Sequence, residues 1–511
     1  MITAVERVAP AHAATERVRW LVDNADSYEM LLDAVARARR SIWICQLAFD
    51  ADARARAPNA SDASGSPLLD ALVHASRERG VAVRILLNAT VLLNTASPLR
   101  AVLRDVTDAD VRVRGIARFP QLLHAKMLLV DEQEAIMVGS PFVNGYWDDA
   151  SHRPADPHRP DRELGGRPLH DVSVHLTGSA VRSLSAIFAV LWKVSIGDDD
   201  HEPLERIEPR APVRASHADG SAIRVARTLP RGLMPDAPRG ATEILAAITS
   251  GIASARELVY VEHQYLSSRR VVAALVAALH RAPELEVVIV LNQNPDVTAY
   301  RRWQNARLTE SGLLTHPRVG VFTLWRASAS ALDASRWSIN QLFVHSKVLI
   351  VDDQWLTTGS ANLDGVSLHS YGHDFRGRLG RRLFGNVRNV DVNVVIHAER
   401  CAEQDVVRSL RWRLWCEHLA SVESEVADRP ADGWLSLWRA RAAESRAALA
   451  ARPPVDAPHA TMPILLPYST AGTPRRQLRE AGIDDTQLDV RFDPGWLEVH
   501  ASPSWVRNMF E

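Results

Sequence analysis

The chain states one structural pattern twice. Residues 28–40 (YEMLLDAVARARR) carry helical periodicity, 41–49 (SIWICQLAF) read as a strand, 67–80 (PLLDALVHASRERG) as a helix and 81–88 (VAVRILLN) as a strand. The same succession returns between residues 242 and 293 as TEILAAITSGIASARE, LVYVEHQYL, RRVVAALVAALHRA and LEVVIVLNQ. Helical stretches alternating with short β-branched runs signal βαβ units, and hence a mostly parallel or mixed sheet covered by helices. The register continues beyond these elements: His124 and His345 are 221 positions apart, Gly139 and Gly359 are 220, and Asp171 and Asp391 are 220. The one-residue difference falls between Asp131 and Gly139, where an extra turn residue is expected in the first copy. The predicted organisation is a first half over 1–200, a linker over 201–220, a second half over 221–420 and an extension over 421–511 of unknown role. The Pro-rich, charged stretch around the linker includes Asp198 to Asp200, read as a solvated loop rather than a metal site. The extension reads as a helical Ala/Arg-rich segment followed by an irregular Pro-rich tail.

Bulk properties exclude some functions. A formal net charge of -1 over 511 residues provides no overall basic field, so a stable nucleic-acid partner is not expected. Cys45, Cys401 and Cys416 are too few and scattered for a disulfide framework or zinc cluster and read as reduced thiols. Charged residues among the first twenty interrupt any signal-peptide core, and no apolar run reaches the roughly 18 residues that span a bilayer. The expected location is cytoplasmic or peripheral to a membrane, with export by a signal-less route left open.

The repeat also carries chemistry. Of 60 basic residues only Lys126, Lys193 and Lys347 are lysines, and two of these occupy equivalent places in HAKMLLVD (124–131) and HSKVLIVD (345–352). In an extended strand, His at i and Lys at i+2 project from one side. A lysine buried in such a strand is costly unless it meets an anion, so each copy is read as offering an imidazole and an ammonium to a phosphate-like group. Gly-Ser follows in each copy, in VGSPFVN and TGSANLD; Ser140, Asn144, Ser360 and Asn362 are candidate neutral donors to anionic oxygens. Asp171 and Asp391 each open an alternating strand, 47 and 46 positions after the histidine of the same copy, and are candidates to orient a histidine ring. Asp131 and Asp352 complete the motifs and join the catalytic set, although their place at or near a turn favours a structural role.

With its two copies of His-x-Lys-x4-Asp followed by Gly-Ser, the sequence resembles the phospholipase D superfamily. RPLHDVSVHLTGSAV, YVEHQYL and LRWRLWCEHLA are also similar to stretches of those enzymes, so the likeness runs from about residue 25 to 420. The resemblance implies two pseudo-twofold-related α/β halves in one bilobal body, a monomer with an internal pseudo-dimer. It also implies phosphodiester exchange without a metal or other cofactor: His124 attacks phosphorus, His345 serves as acid and base, and Lys126 and Lys347 hold the phosphate. The expected substrate is a phospholipid at a membrane surface, its phosphatidyl group hydrolysed or transferred. A cardiolipin-synthase-type transferase is an alternative, although such enzymes commonly carry N-terminal membrane spans that this sequence lacks, and a nuclease-type phosphodiesterase is another. Trp147 is a candidate interfacial anchor. The loop at 148–164, containing His152 and His158, is expected to rim the site, and the basic loop at 372–389 is read either as a cover over a polyanionic or headgroup site or as a solvated loop.

Overall fold

In a computed structural model, which describes residues 17–55, 66–90, 93–118, 120–154, 156, 158–159, 167–196, 222–370, 387–401, 405–454, 461–472, 474–484, 486 and 488, each sequence copy folds around its own sheet. The first has seven strands in the order Arg17–Val22, Val172–Thr177, Glu134–Met137, Met127–Val130, Ser41–Cys45, Ala82–Asn88 and Val111–Ile116. The second repeats this order with Ile223–Leu229, Asp391–His397, Trp355–Gly359, Lys347–Val351, Leu258–His263, Glu286–Leu291 and Val319–Ala329, and extends it at both edges to ten strands. In each sheet the last three strands of the series run parallel and the others antiparallel. The parallel strands are apolar on both faces: Val287 through Leu291 are all buried, as burial from two sides requires.

Side-chain alternation on the motif strands builds three layers of core. Met127 and Leu129 face a central cluster, whereas Leu128 and Val130 face an outer one packed by the helices Asp23–Arg37, Leu68–Arg79 and Ala96–Leu103. Val348 and Ile350 enter the same central cluster, while Leu349 and Val351 face the outer helices of the second half. Helices Ser179–Lys193 and Val406–Leu419 fill the centre with Leu184, Phe188, Leu410 and Trp415. The two halves thus bury one continuous core between them.

Two features differ from the sequence reading. The hairpin turns after the motifs have equal lengths, Val130 pairing with Glu134 and Val351 with Trp355, and both use left-handed backbone at Asp131–Glu132 and Asp352–Asp353. The extra residue instead lies beyond the turn, at Val138–Gly139, after the last paired residue Met137. Part of the 421–511 extension also joins the second half. Met462–Pro467 pairs antiparallel with Val319–Ala329, with prolines near the strand's ends, and Trp434–Ala450 places Trp438 in the central core. The acidic run 198–200, the rest of the linker, the end of the tail and residues 372–386 of the basic loop lie outside the described residues.

Candidate active site

The segment leading into each motif strand bonds to the opposite half. The N–H groups of His124 and Ala125 both donate to the Val390 carbonyl, at 2.9 and 2.7 Å. In the reciprocal arrangement, His345 N–H donates to the His170 carbonyl at 2.8 Å, and Phe343–Val344 pairs in parallel with Leu169–His170. Each histidine therefore lies beside the aspartate-bearing strand of the other copy. His124 Nδ1 is 2.7 Å from Asp391 Oδ1, and His345 Nδ1 is 2.8 Å from Asp171 Oδ2. The near-equal sequence spacing of each aspartate from the histidine of its own copy reflects the duplication, while the contacts themselves are exchanged.

Two asparagines fix these segments. Asn88 donates to the Leu123 carbonyl at 2.7 Å and accepts from Leu123 N–H at 2.8 Å. Asn292 does the same for Val344, at 2.7 and 2.9 Å. Each clamp satisfies both backbone groups of the residue before a motif histidine, in a buried place where an unpaired group would cost about 1–3 kcal/mol. The signal was visible in the sequence, since equivalent strands end in LLN and VLN, but periodicity alone gave the asparagine no partner.

Lys126 and Lys347 are buried, with relative exposures of 0% and 1%. Each ammonium donates to the carbonyl of the histidine two residues earlier, Lys126 at 3.0 Å, and Lys347 also reaches Gln264 Oε1 at 3.4 Å. Burial is the main force lowering their pKa values, to about 8 for Lys126 and about 7 for Lys347. Burial likewise lowers both histidines, His345 to about 3, and each lysine's charge pushes on both imidazoles. The four motif groups thus share one electrostatic environment. Burial would raise Asp171, but the ring of His345, Lys347 and Ser140 outweigh it and hold the carboxyl at about 2.

The remaining sequence candidates separate by partner. Ser140 and Ser360 donate to Asp171 and Asp391, the latter at 2.7 Å, rather than standing free for a phosphate oxygen. Gly139 is needed beside this arrangement: a Cβ there would lie 2.1 Å from Asp171 Oδ1. Asn362 is buried and its Oδ1 has no hydrogen bond. Asn144 is not its counterpart. It accepts from Arg54 N–H and donates to Asp52, while the position two residues after Ser140 is taken by Phe142, packed on Phe49 and Tyr28. Asp131 and Asp352 lie away from the histidines. Asp131 accepts from the N–H groups of Arg39, Arg40 and Ser41, and Asp352 from those of Arg256, Glu257 and Leu258, tying each hairpin turn to the start of a neighbouring strand. Their place in the catalytic set is therefore corrected to a structural one.

The 148–164 loop is also corrected where it is described. Trp147 is 3% exposed and meets the His158 ring edge to face, so it is no interfacial anchor. His152 is fully buried rather than on a rim. Other groups near the histidines were not singled out from sequence: Tyr146 contacts the His345 ring edge-on at 5.2 Å, and Asp296, which accepts from Tyr265 and Gln264, acts electrostatically on Lys347. These residues have no equivalent in the repeat, which was the signal used.

The family described as "Cardiolipin synthase, PLD-like domain" matches residues 31–144 and 248–407, together more than half of the chain. The chain belongs to the phospholipase D superfamily. It is 24% identical over 369 residues to "Cardiolipin synthase 2" of Bacillus anthracis, a match covering 69% of this chain and 59% of that relative's length. The fold is similar to that of phosphatidylserine synthase from Haemophilus influenzae, with a TM-score of 0.51, 12% identity and coverage of 78% of this chain and 85% of that one. Among the described residues no helix is long and apolar enough to cross a membrane.

Proposed function

We propose that this member of the phospholipase D superfamily transfers a phosphatidyl group from one alcohol to another, as a phosphodiesterase working through a phosphohistidine. The observation that carries this reading is the exchanged His–Asp pairing. Asp391 and Asp171 occupy Nδ1 of the two rings, leaving each Nε2 for the substrate. His124 Nε2 attacks phosphorus: the P–N bond forms, the P–O bond to the departing alcohol breaks, and His345 gives that oxygen its proton. An acceptor alcohol then attacks the same phosphorus, loses its proton to His345 and releases His124. Lys126 and Lys347 balance the charge that builds on the non-bridging oxygens. An entering phosphodiester anion offsets the lysine field and raises the pKa of His345, providing an imidazolium when the leaving group needs a proton. Transfer is favoured over hydrolysis by the burial of both motif histidines, 9% and 4% exposed, which restricts bulk water. The similarity to a protein named cardiolipin synthase supports the same direction, and the proposed donor is a glycerophospholipid.

The test incubates the chain with mixed glycerophospholipid vesicles and ethanol, with and without EDTA, and reads products by mass spectrometry. Phosphatidylethanol is expected in both conditions, and its formation drops roughly 10³-fold or more in His124→Ala. Phosphatidic acid alone would mean hydrolysis in place of transfer, and no lipid product would sink the reading. Acid-sensitive phosphoryl label is expected on His124; label on His345 would reverse the two roles.

A further inference from the structure

A second group of ionisable side chains lies across the junction of the halves, and the exchange reaction uses none of it. Asp23 opens the helix Asp23–Arg37, His152 follows Trp147 in a loop, His170 ends the strand Leu169–His170, and Glu417 reaches in from helix Val406–Leu419 of the second half. Both histidines are 0% exposed and Asp23 is 1% exposed. One nitrogen or oxygen from each of the four lies within 4.8 Å of every other. His152 Nε2 is 2.9 Å from Glu417 Oε1 and 3.5 Å from Asp23 Oδ2, while His170 Nδ1 is 3.0 Å from Asp23 Oδ1 and 3.2 Å from Glu417 Oε1. Ligand atoms each about 2.1 Å from one ion stand about 3.0–3.4 Å apart in octahedral or tetrahedral geometry, which is close to this set.

Three further observations separate the group from a plain ion-pair network. Both ring nitrogens of His170 stand at ion-pair distance from carboxylates but off the directions of good hydrogen bonds, 3.0 Å from Asp23 Oδ1 and 3.1 Å from Glu262 Oε1, and Asp23 Oδ2 is buried without a hydrogen bond. These buried atoms are aimed past one another, as ligands of a common centre are. The second nitrogen of each ring faces an outer carboxylate: His152 Nδ1 lies 3.0 Å from Asp148 Oδ2 and His170 Nε2 lies 3.1 Å from Glu262 Oε1. Carboxylate–histidine pairs of this kind orient metal-bound imidazoles. Finally, the buried carboxylates call for positive charge. Among the described residues Asp23, Asp148, Glu262 and Glu417 meet two guanidiniums, Arg159 on Asp148 at 2.7 Å and Arg326 at 3.9 Å from Glu417, and the imidazoles of His152, His170 and His418. One divalent cation with neutral imidazoles would supply that charge in place of imidazolium protons.

We propose that Asp23, His152, His170 and Glu417 bind one divalent transition-metal ion that pins the two halves together outside the reaction centre. Two imidazoles with two carboxylates suit zinc, manganese or iron better than magnesium or calcium, which prefer oxygen alone. The ion ties three ligands of the first half to one of the second. It also sits directly behind the active site, since the carbonyl of His170 accepts from His345 N–H and the next residue is Asp171. Its role is structural: it adds to the stability of the junction, while the exchange reaction proceeds through protein groups alone.

The test uses the untagged 511-residue chain, dialysed against metal-free buffer and against Zn²⁺, Mn²⁺ or Co²⁺, with metal content measured by mass spectrometry and thermal unfolding followed in parallel. About one equivalent of bound metal is expected, with visible ligand-field bands for Co²⁺ and a Tm that rises with added metal. Glu417→Gln and His152→Ala should retain less than about a tenth of an equivalent and lose the Tm response. Because a buried ligand variant can fail to fold, the wild-type chain decides. Wild-type protein that binds no stoichiometric metal and shows no Tm response overturns the proposal and leaves two imidazolium protons as the balancing charge. Metal that persists at full content in folded Glu417→Gln and His152→Ala overturns it as well.

Discussion

An imidazole buried beside two ammonium groups holds its proton poorly, and a buried ammonium holds its own less well than a free lysine. The pH response of the proposed reaction follows from these two facts. In the free chain His345 is neutral above about pH 3, so it sets no acid limb near neutrality. Lys347 and Lys126 lose their protons at about 7 and about 8, and only the charged forms attract the phosphodiester. The sign is therefore fixed: the proton that His345 gives to the leaving oxygen is taken up with the substrate, so kcat/KM declines as pH rises, and its steeper alkaline limb runs through about 7 to 8 where the lysines also lose their protons, because that ratio reports the free enzyme. Lys347→Arg keeps its charge across this range, so it should move the alkaline limb upward while lowering the maximum rate. An unshifted limb in an active Lys347→Arg chain would remove Lys347 as its source. Asp391→Asn tests the exchanged pairing at the same scale. An amide cannot stabilise the imidazolium or enforce its tautomer as a carboxylate does, so kcat should fall by roughly 10²–10⁴ with little change in KM. A kcat near wild type would mean that the 2.7 Å contact to His124 is incidental to turnover.

The elements that carry the histidines are held by groups that do no chemistry. Asn292 donates to the carbonyls of Gln264 and Val344 and accepts from Val344 N–H and Gln341. Asn292→Leu keeps similar volume but strips partners from buried polar groups, at about 1–3 kcal/mol for each group left unsatisfied. The chain should be less stable to urea and, assayed well below its midpoint, should lose roughly tenfold or more in kcat because His345 is displaced. Wild-type kcat in the folded variant would leave the clamp a stability role only. This clamp shows where sequence reading stops. The helices, the strands and the motif residues were legible because each obeys a period or repeats at a fixed interval. The asparagines also repeat, at 88 and 292, yet a buried polar side chain gains its meaning from a partner distant in sequence. The same limit placed the extra residue of the first copy in the turn rather than at Val138–Gly139, and made Asn144 the counterpart of Asn362 when Phe142 occupies that place. His152 shows it in stronger form: a polar loop sequence reads as exposed, and only the packing against His170 and the second half explains why this histidine is buried.

At the scale of the whole molecule, neither half contains the complete candidate site. His124 relies on Asp391 and His345 on Asp171, the strands before both histidines bond across the junction, and the central core draws side chains from both sheets and from helices Ser179–Lys193 and Val406–Leu419. Exposing that core would be costly, since each large side chain removed from it contributes about 1.5–3 kcal/mol of burial. The chain is therefore built like a pair of subunits joined by one covalent connection, and the connection should be dispensable while the pairing is not. Fragments 1–196 and 222–511, produced together, should associate and recover phosphatidyl transfer. Either fragment alone should be inactive and prone to aggregate, with its half of the central core exposed. Restoring activity to a His124→Ala first fragment by supplying an intact copy of the same fragment would confirm that the site assembles from both pieces. Activity in an isolated half would overturn the shared site, because a half that works alone needs no aspartate from the other.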